Sequence, residues 1–175
     1  VANIIETRKN GGKFKDIYDF MERVNLQTVN KKNLEVLVVS GAFDNLSPVS
    51  RSTYFAPDSK GGTYLETLMR YGIKTQTEKL SSQMSLFGGT GGFDMPKPEP
   101  PKVDEWPTIE LLNREKEVIG IYLSAHPLDQ FKFEIENLCN VTLADLKSMD
   151  QYKDRDITIA GMVVGVKIDT TKNGK

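Results

Sequence analysis

A run rich in glycine and proline, from Gly88 to Pro107, divides the sequence and limits what either side can become. It opens with Gly88-Gly89-Thr90-Gly91-Gly92 and continues through Pro96, Pro98, Pro100, Pro101 and Pro107. Such a composition is flexible at one end and stiff, polyproline-like, at the other, and reads as a linker. Immediately upstream stands Gln83-Met84-Ser85-Leu86-Phe87. Two adjacent large apolar side chains, Leu86 and Phe87, sit where the local pattern offers them no core. Leaving such a pair exposed is unfavourable unless something covers it. Gln83, three residues before Leu86, can hydrogen-bond the backbone of a partner. The stretch therefore reads as a short linear docking peptide; the competing reading packs Leu86 and Phe87 onto their own domain.

The rest of the composition narrows the class. With 175 residues there is room for one domain, or one and a half small ones. Hydrophobic residues make up 38% and charged residues 27%, enough for a modest core, and the net charge of −1 gives no global pull toward nucleic acid. A single cysteine, Cys139, excludes an internal disulfide and fits a reducing compartment. No apolar run approaches the ~20 residues of a membrane span, and no signal-peptide pattern opens the chain. A cytoplasmic protein without membrane contact is expected. Val1 is not a start methionine, and Lys172-Asn173-Gly174 is a hairpin-turn signal whose returning strand is absent, so both ends read as cut from a longer polypeptide.

The periodicity predicts a mainly α-helical chain: a small bundle followed by a short C-terminal β segment. Residues 2–9 read as the last turns of a helix stopped by Gly11-Gly12. Phe14, Ile17, Met21 and Val24 mark one face of a second helix. Asn30 caps a third, with Val29 placed to staple onto Leu34; Leu37 and Val38 complete its buried stripe, Gly41 ends it and Phe43 folds back as a plug. Ser47-Pro48 predicts a further helix start. Thr63 and Glu66 form a capping box for a helix to about Leu80, with Gly72 weakening its middle. Trp106 is expected to anchor the linker onto the body. Helical spacing returns through Leu111, Leu112, Glu115, Val118, Ile119, Tyr122 and Leu123, until His126-Pro127 breaks it. Asp129 is expected to cap a helix through Phe131, Ile135 and Leu138, and 142–146 another turn. Residues 157–168, rich in β-branched side chains, read as a barrel strand. The expected divisions are 1–57, 58–107, 108–154 and 155–175.

Chemistry is sparse. His126 is the only histidine, which rules out a multi-histidine metal site and fits a turn. Cys139 lies among apolar residues, as a structural thiol does. Asp154 and Asp156 could hold a metal, but they stand on a charged turn without a third acid, where solvated side chains are the plainer reading. The glycines at 88–92 lack the strand and helix of a nucleotide loop. No active site and no cofactor are expected. Arg8, Lys9, Lys13 and Lys15 cluster about Gly11-Gly12, and Lys31 and Lys32 open the third helix. Arg8, Lys9, Lys13, Lys31 and Lys32 are candidate phosphate ligands, against a reading as ordinary solvated helix ends.

Three runs resemble the alpha subunit of bacterial DNA polymerase III, the replicative C-family polymerase. They are Phe14 to Asp44, with Asn30-Lys31-Lys32 and Ser40-Gly41-Ala42-Phe43-Asp44; Arg114 to Ser124 with His126-Pro127-Leu128; and Ile159-Ala160-Gly161-Met162-Val163-Val164 with Thr171-Lys172-Asn173-Gly174. The resemblance implies helix-hairpin-helix elements in the first part and the start of an OB-fold at the end. It implies a sliding-clamp (beta subunit) docking peptide at Gln83, Met84, Ser85, Leu86 and Phe87, and non-specific contact with duplex DNA. Other holoenzyme subunits would meet regions outside this chain. In that family the polymerase aspartates, which use magnesium for nucleotidyl transfer, would lie upstream of Val1. The hairpin at 25–30 departs from the pattern, because it lacks the glycines that let backbone approach a phosphate closely. The alternative is a helix-hairpin-helix DNA-binding scaffold of a repair or nuclease protein, with 83–87 merely packed.

Overall fold

The computed structural model describes residues 1–58, 61–84 and 96–168. As expected, the chain is mainly helical. Its α-helices are α1 Ala2–Gly11, α2 Ile17–Arg23, α3 Lys31–Val39, α4 Arg51–Phe55, α5 Tyr64–Met84, α6 Thr108–Ile119 and α7 Lys132–Leu138. Two compact units divide the chain, Val1–Leu123 and Ser124–Lys175.

The first unit is organised around α2 and α5, whose contact is the most extensive in the fold. Asp16 caps α2 by accepting the Asp19 amide at 2.7 Å, and Ile17, Phe20 and Met21 turn inward with Val24. Asn30 caps α3 in the predicted way, accepting the Asn33 amide at 3.0 Å. Leu34 and Val38 are buried, Gly41 turns the chain with φ +77°, and Phe43 returns to the core 5.0 Å from Phe20. The Thr63–Glu66 capping box forms: the Thr63 amide donates to Glu66 Oε2 at 2.8 Å, and the Glu66 amide to Thr63 Oγ1 at 3.3 Å.

Helix α5 runs unbroken through Gly72, and the glycine lets α5 approach α2. A Cβ at this position would stand 2.5 Å from the Met21 carbonyl oxygen and 2.8 Å from Leu26 Cδ1. One turn on, Gln76 Nε2 donates to the carbonyls of Met21 at 2.8 Å and Val24 at 2.9 Å. These are acceptors that the C-terminal end of α2 would otherwise leave open. Glu22 completes the seam, accepting from the Tyr71 hydroxyl at 2.6 Å and Lys79 Nζ at 2.7 Å.

Several boundaries differ from expectation. The helix after Ser47-Pro48 starts only at Arg51, behind Ser50. Residues 46 and 47 belong instead to the preceding turn, since the Leu46 carbonyl accepts the Ile17 amide and the Ser47 amide returns to Phe43. Helix α5 continues to Met84 rather than stopping near Leu80. Helix α6 ends at Ile119, because Gly120 adopts φ 90° and donates its amide to Lys116. Glu115, in phase with Leu112 on the α6 stripe, is completely buried. It accepts Arg51 Nη1 at 3.2 Å and the Leu123 amide at 2.8 Å. Arg51 also donates to the Val39 carbonyl at 2.9 Å and pairs with Asp44 at 2.7 Å. The guanidinium thus ties α3, α4 and α6.

Of the linker, residues 96–107 are described, and Trp106 anchors as expected. Its ring lies 5.4 Å from Phe55, and the Arg114 guanidinium sits 4.2 Å over it.

In the second unit Asp129 does not cap α7. Its carboxylate accepts the His126 amide at 2.7 Å, and His126 Nδ1 accepts the Leu128 amide at 3.2 Å. The result is a turn, then a 3-10 turn Asp129–Phe131 leading into α7. Asp145 accepts the amide and hydroxyl of Thr142 and opens a 3-10 helix, Asp145–Tyr152. The predicted strand at 157–168 does not form among the described residues. A strand needs a ladder, and what this segment receives is a local bracket: the Asn140 amide donates to the Thr158 carbonyl, and the Asn140 side chain bonds Asp156 and Thr158.

The α2–α5 seam makes a signed prediction for Gly72→Ala. Helix propensity alone would stabilise the variant by about 1 kcal/mol. The contact with Met21 instead forces the helices apart, and a net loss of about 1–3 kcal/mol is expected in chemical denaturation. A stabilised variant would contradict the close approach.

Candidate functional site

The basic residues near the start of the chain are positioned by Arg23, which the sequence reading passed over. Its Nη2 donates to the carbonyls of Thr7 at 3.1 Å and Gly12 at 3.0 Å, and its Nη1 to Asp19 Oδ2 at 2.9 Å. The guanidinium also lies 4.7 Å over the Phe14 ring. A cation is thus fixed at the C-terminal end of α1, where the helix dipole favours it. Helix α1 buries no residue fully; Ile4 packs partly against the core, and these polar ties add to that contact. Between α1 and the bundle opens a cavity of about 780 Å³ lined by Ile4, Arg8, Lys13, Phe14, Phe43 and Leu46, among others.

Arg8 and Lys13 therefore share one cleft, and Lys9 follows Arg8 in the last turn of α1. Lys31 is not brought to them by any contact of this kind. Its ammonium pairs with Glu66 at 2.8 Å and Glu35 at 3.7 Å, and hydrogen bonding to Glu66 raises its pKa. Lys32 is exposed beside it at the start of α3. In the hairpin joining α2 and α3, several amides are bonded locally. Asn25 Oδ1 accepts from Gln27 and Thr28, the Asn25 carbonyl accepts from Thr28 and Val29, and the Asn25 amide donates to Asn3. Those amides are already bonded within the protein.

At the other candidate site, Gln83 and Met84 are the last residues of α5, while Ser85, Leu86 and Phe87 lie outside the described residues. The helix is held to the body as far as Lys79, through Glu22. Beyond it Leu80 is 63% exposed, and the Ser81 hydroxyl donates back along the helix to the Thr77 carbonyl. Beyond the glycine run, residues 97–104 are tied to the bundle. The Pro98 carbonyl accepts from the hydroxyls of Tyr18 at 2.8 Å and Tyr64 at 3.3 Å. Lys97 lies 4.8 Å over the Tyr18 ring and pairs with Asp16 at 3.3 Å. Ser52 donates to the Asp104 carbonyl at 2.9 Å. No sequence pattern announced the tyrosine pair, whose members are far apart in the chain.

The remaining candidates are dispersed. His126 shapes its turn, Cys139 is half-buried, and Asp154 and Asp156 are exposed, Asp154 with φ 60°. Among the described residues no group of histidine, cysteine, aspartate or glutamate could hold a metal ion. Among them, too, no helix is long and apolar enough to cross a membrane.

Residues 1–54 match the helix-hairpin-helix motif family. Over 99% of its length the chain is similar to the DNA polymerase III subunit alpha of several bacteria. Identity is 31% with the Vibrio cholerae protein, 32% with that of Pseudomonas aeruginosa and 30% with that of Escherichia coli K12. It covers 14%, 15% and 14% of those proteins, respectively, so the chain spans about a seventh of the length of the relatives it matches. The family resemblance read from the three sequence runs is borne out.

The carboxylates of this region predict its acid behaviour. Burial works against ionisation of Asp19 and Glu22. The Lys15 amide and Arg23 outweigh it at Asp19, and Lys79 and Tyr71 outweigh it at Glu22, so both pKa values fall below the usual range. Groups depressed in the folded state stabilise it fully above their unfolded values, near pH 4–4.5, and lose that contribution as pH falls through the folded values. Asp19→Asn with Glu22→Gln should flatten the fall in stability between about pH 4 and pH 2, read from denaturation midpoints across that range.

Proposed function

We propose that this chain is a tethering segment of a replicative DNA polymerase alpha subunit, docking on the sliding clamp and touching duplex DNA without sequence preference. The observation that carries the reading is the similarity to DNA polymerase III subunit alpha along 99% of the chain. The architecture supports it: a helix clamped to the bundle as far as Lys79 runs on to Gln83 and Met84, and the sequence continues into Ser85, Leu86 and Phe87. Leu86 and Phe87 would enter an apolar pocket on the clamp, each contributing about 1.5–3 kcal/mol if fully buried. Gln83 would fix the register by hydrogen bonds. After ordering costs, a single peptide of this size binds in roughly the micromolar range or more weakly. That weakness suits an enzyme that must release, while a second attachment to the same duplex raises the joint strength by effective concentration.

The helix-hairpin-helix match over 1–54 supports the DNA contact. With those hairpin amides already bonded, the contact rests on exposed cations: Arg8, Lys9 and Lys13 near the α1 cleft, and Lys32 on α3. Phosphate contacts of this kind are blind to sequence and sensitive to salt. No catalytic step and no cofactor is assigned to this chain. Polymerisation, with its magnesium ions, belongs in this reading to other parts of the subunit.

Titration calorimetry against a bacterial sliding clamp tests the docking. Leu86→Ala with Phe87→Ala, or Gln83→Ala, should abolish measurable binding while leaving the helical circular dichroism unchanged; undiminished affinity rejects the assignment. For the DNA contact, Arg8→Ala and Lys13→Ala should each weaken duplex binding and lower the salt slope by about one unit, uniformly across sequences. Lys31→Ala, already paired with Glu66, should change it little.

A further inference from the structure

The segment 96–105, just before Trp106, is docked in an unusual way. It has no regular secondary structure, and most of its residues from 96 to 105 are exposed, Pro98 and Pro101 being only half-buried. What holds it is a short series of polar latches: two tyrosine hydroxyls on one carbonyl, one ammonium on Asp16 and the Tyr18 ring, and one serine on the Asp104 carbonyl. The Tyr18 and Tyr64 hydroxyls also lie 3.2 Å from each other, so the two act as one fork on Pro98. Trp106, by contrast, is stacked between Phe55 and Arg114 and leads directly into α6. Elements with few buried apolar contacts open locally at low cost while the core stays intact.

We propose that residues 97–105 form a releasable strap, latched by Tyr18, Tyr64 and Asp16, which peels from the bundle as a unit while Trp106 stays in place. With the strap latched, about a dozen residues separate Met84 from the latched Lys97 in sequence. Released, Trp106 becomes the anchor, about twenty residues beyond Met84 in sequence. At roughly 3.3–3.6 Å per extended residue, the maximum reach rises from about 40 Å to about 70 Å. The bundle thus stores slack for whatever is held just after α5. For a peptide docked at 83–87 (this consequence rests on the docking reading) latching would set the distance between two attachments and with it their effective concentration.

Limited trypsin digestion of the whole chain tests the strap at one bond. Lys97 precedes a proline and resists cleavage, whereas Lys102-Val103 lies within the strap and is cut only when it opens. When opening is fast relative to cleavage, the rate follows the open population. Tyr18→Phe, Tyr64→Phe, Ser52→Ala and Lys97→Gln together keep the rings and remove the latches. Cleavage at Lys102 should rise by about fivefold or more, with the unfolding midpoint of the bundle unchanged. The exposed change Lys97→Gln alone carries no folding risk and should give a smaller rise at the same bond. Equal rates in all three chains overturn the proposal, as does a rise seen only with loss of the folded signal. Clamp binding is measured on the same preparations. A faster cut in a chain that never binds clamp rejects the docking reading and keeps the strap; normal binding with no difference in cleavage does the reverse.

Discussion

The first unit depends on how closely α5 can lie on α2. Helices normally keep their axes 8–10 Å apart through the side chains between them, but at Gly72 no side chain intervenes, and α5 rests on the Met21 carbonyl itself. That contact brings Gln76 within reach of the two carbonyls that end α2, and it lets Tyr71 and Lys79 close on Glu22. The seam is apolar at its centre and hydrogen-bonded at its margin. It therefore specifies both the separation and the register of the two helices.

A second constraint orders the return of the chain. Glu115 is wholly buried, and a carboxylate in that position is tolerable only with its bonds complete. Arg51 and the Leu123 amide supply them. The Arg51 guanidinium also grips the Val39 carbonyl and Asp44, and these contacts, with hydrogen bonding to Asp44 foremost, raise its already high pKa. One planar cation thus gathers the end of α3, the start of α4 and the inner face of α6. It also explains why a charged residue sits in the apolar phase of α6.

Local signals were legible where they rest on neighbours in sequence. The Asn30 cap, the Thr63–Glu66 box and the Gly41 turn could all be read from adjacent residues, whereas Trp106 signalled an anchor without naming Phe55 as its partner. What escaped depends on distant partners. Gly72 reads as a weak point in a helix until Met21 is placed beneath it. Ser47-Pro48 reads as a helix start until Leu46 is seen bonded to Ile17. The β-branched run at 157–168 carries strand propensity but no ladder among the described residues, and propensity alone does not pair a strand. At the candidate sites the cations were visible in the sequence. The Arg23 brace and the Tyr18–Tyr64 fork were not, because the groups that give them meaning lie elsewhere in the chain. The resemblance of three separated runs carried the family, whereas spacing alone offered a five-residue docking pattern.

Helix α5 joins the seam to the candidate docking stretch without a break from Tyr64 to Met84. A helix turns by about 100° and advances by about 1.5 Å with each residue. Because the Gly72 contact fixes its rotation about its own axis, the compass bearing on which the backbone departs at Met84 is fixed as well. Adding or deleting one residue between Lys79 and Gln83 would hardly change how far the chain projects, yet it would aim the exit at a different quadrant. The number of residues in that last turn is therefore as much a part of the geometry as their identity.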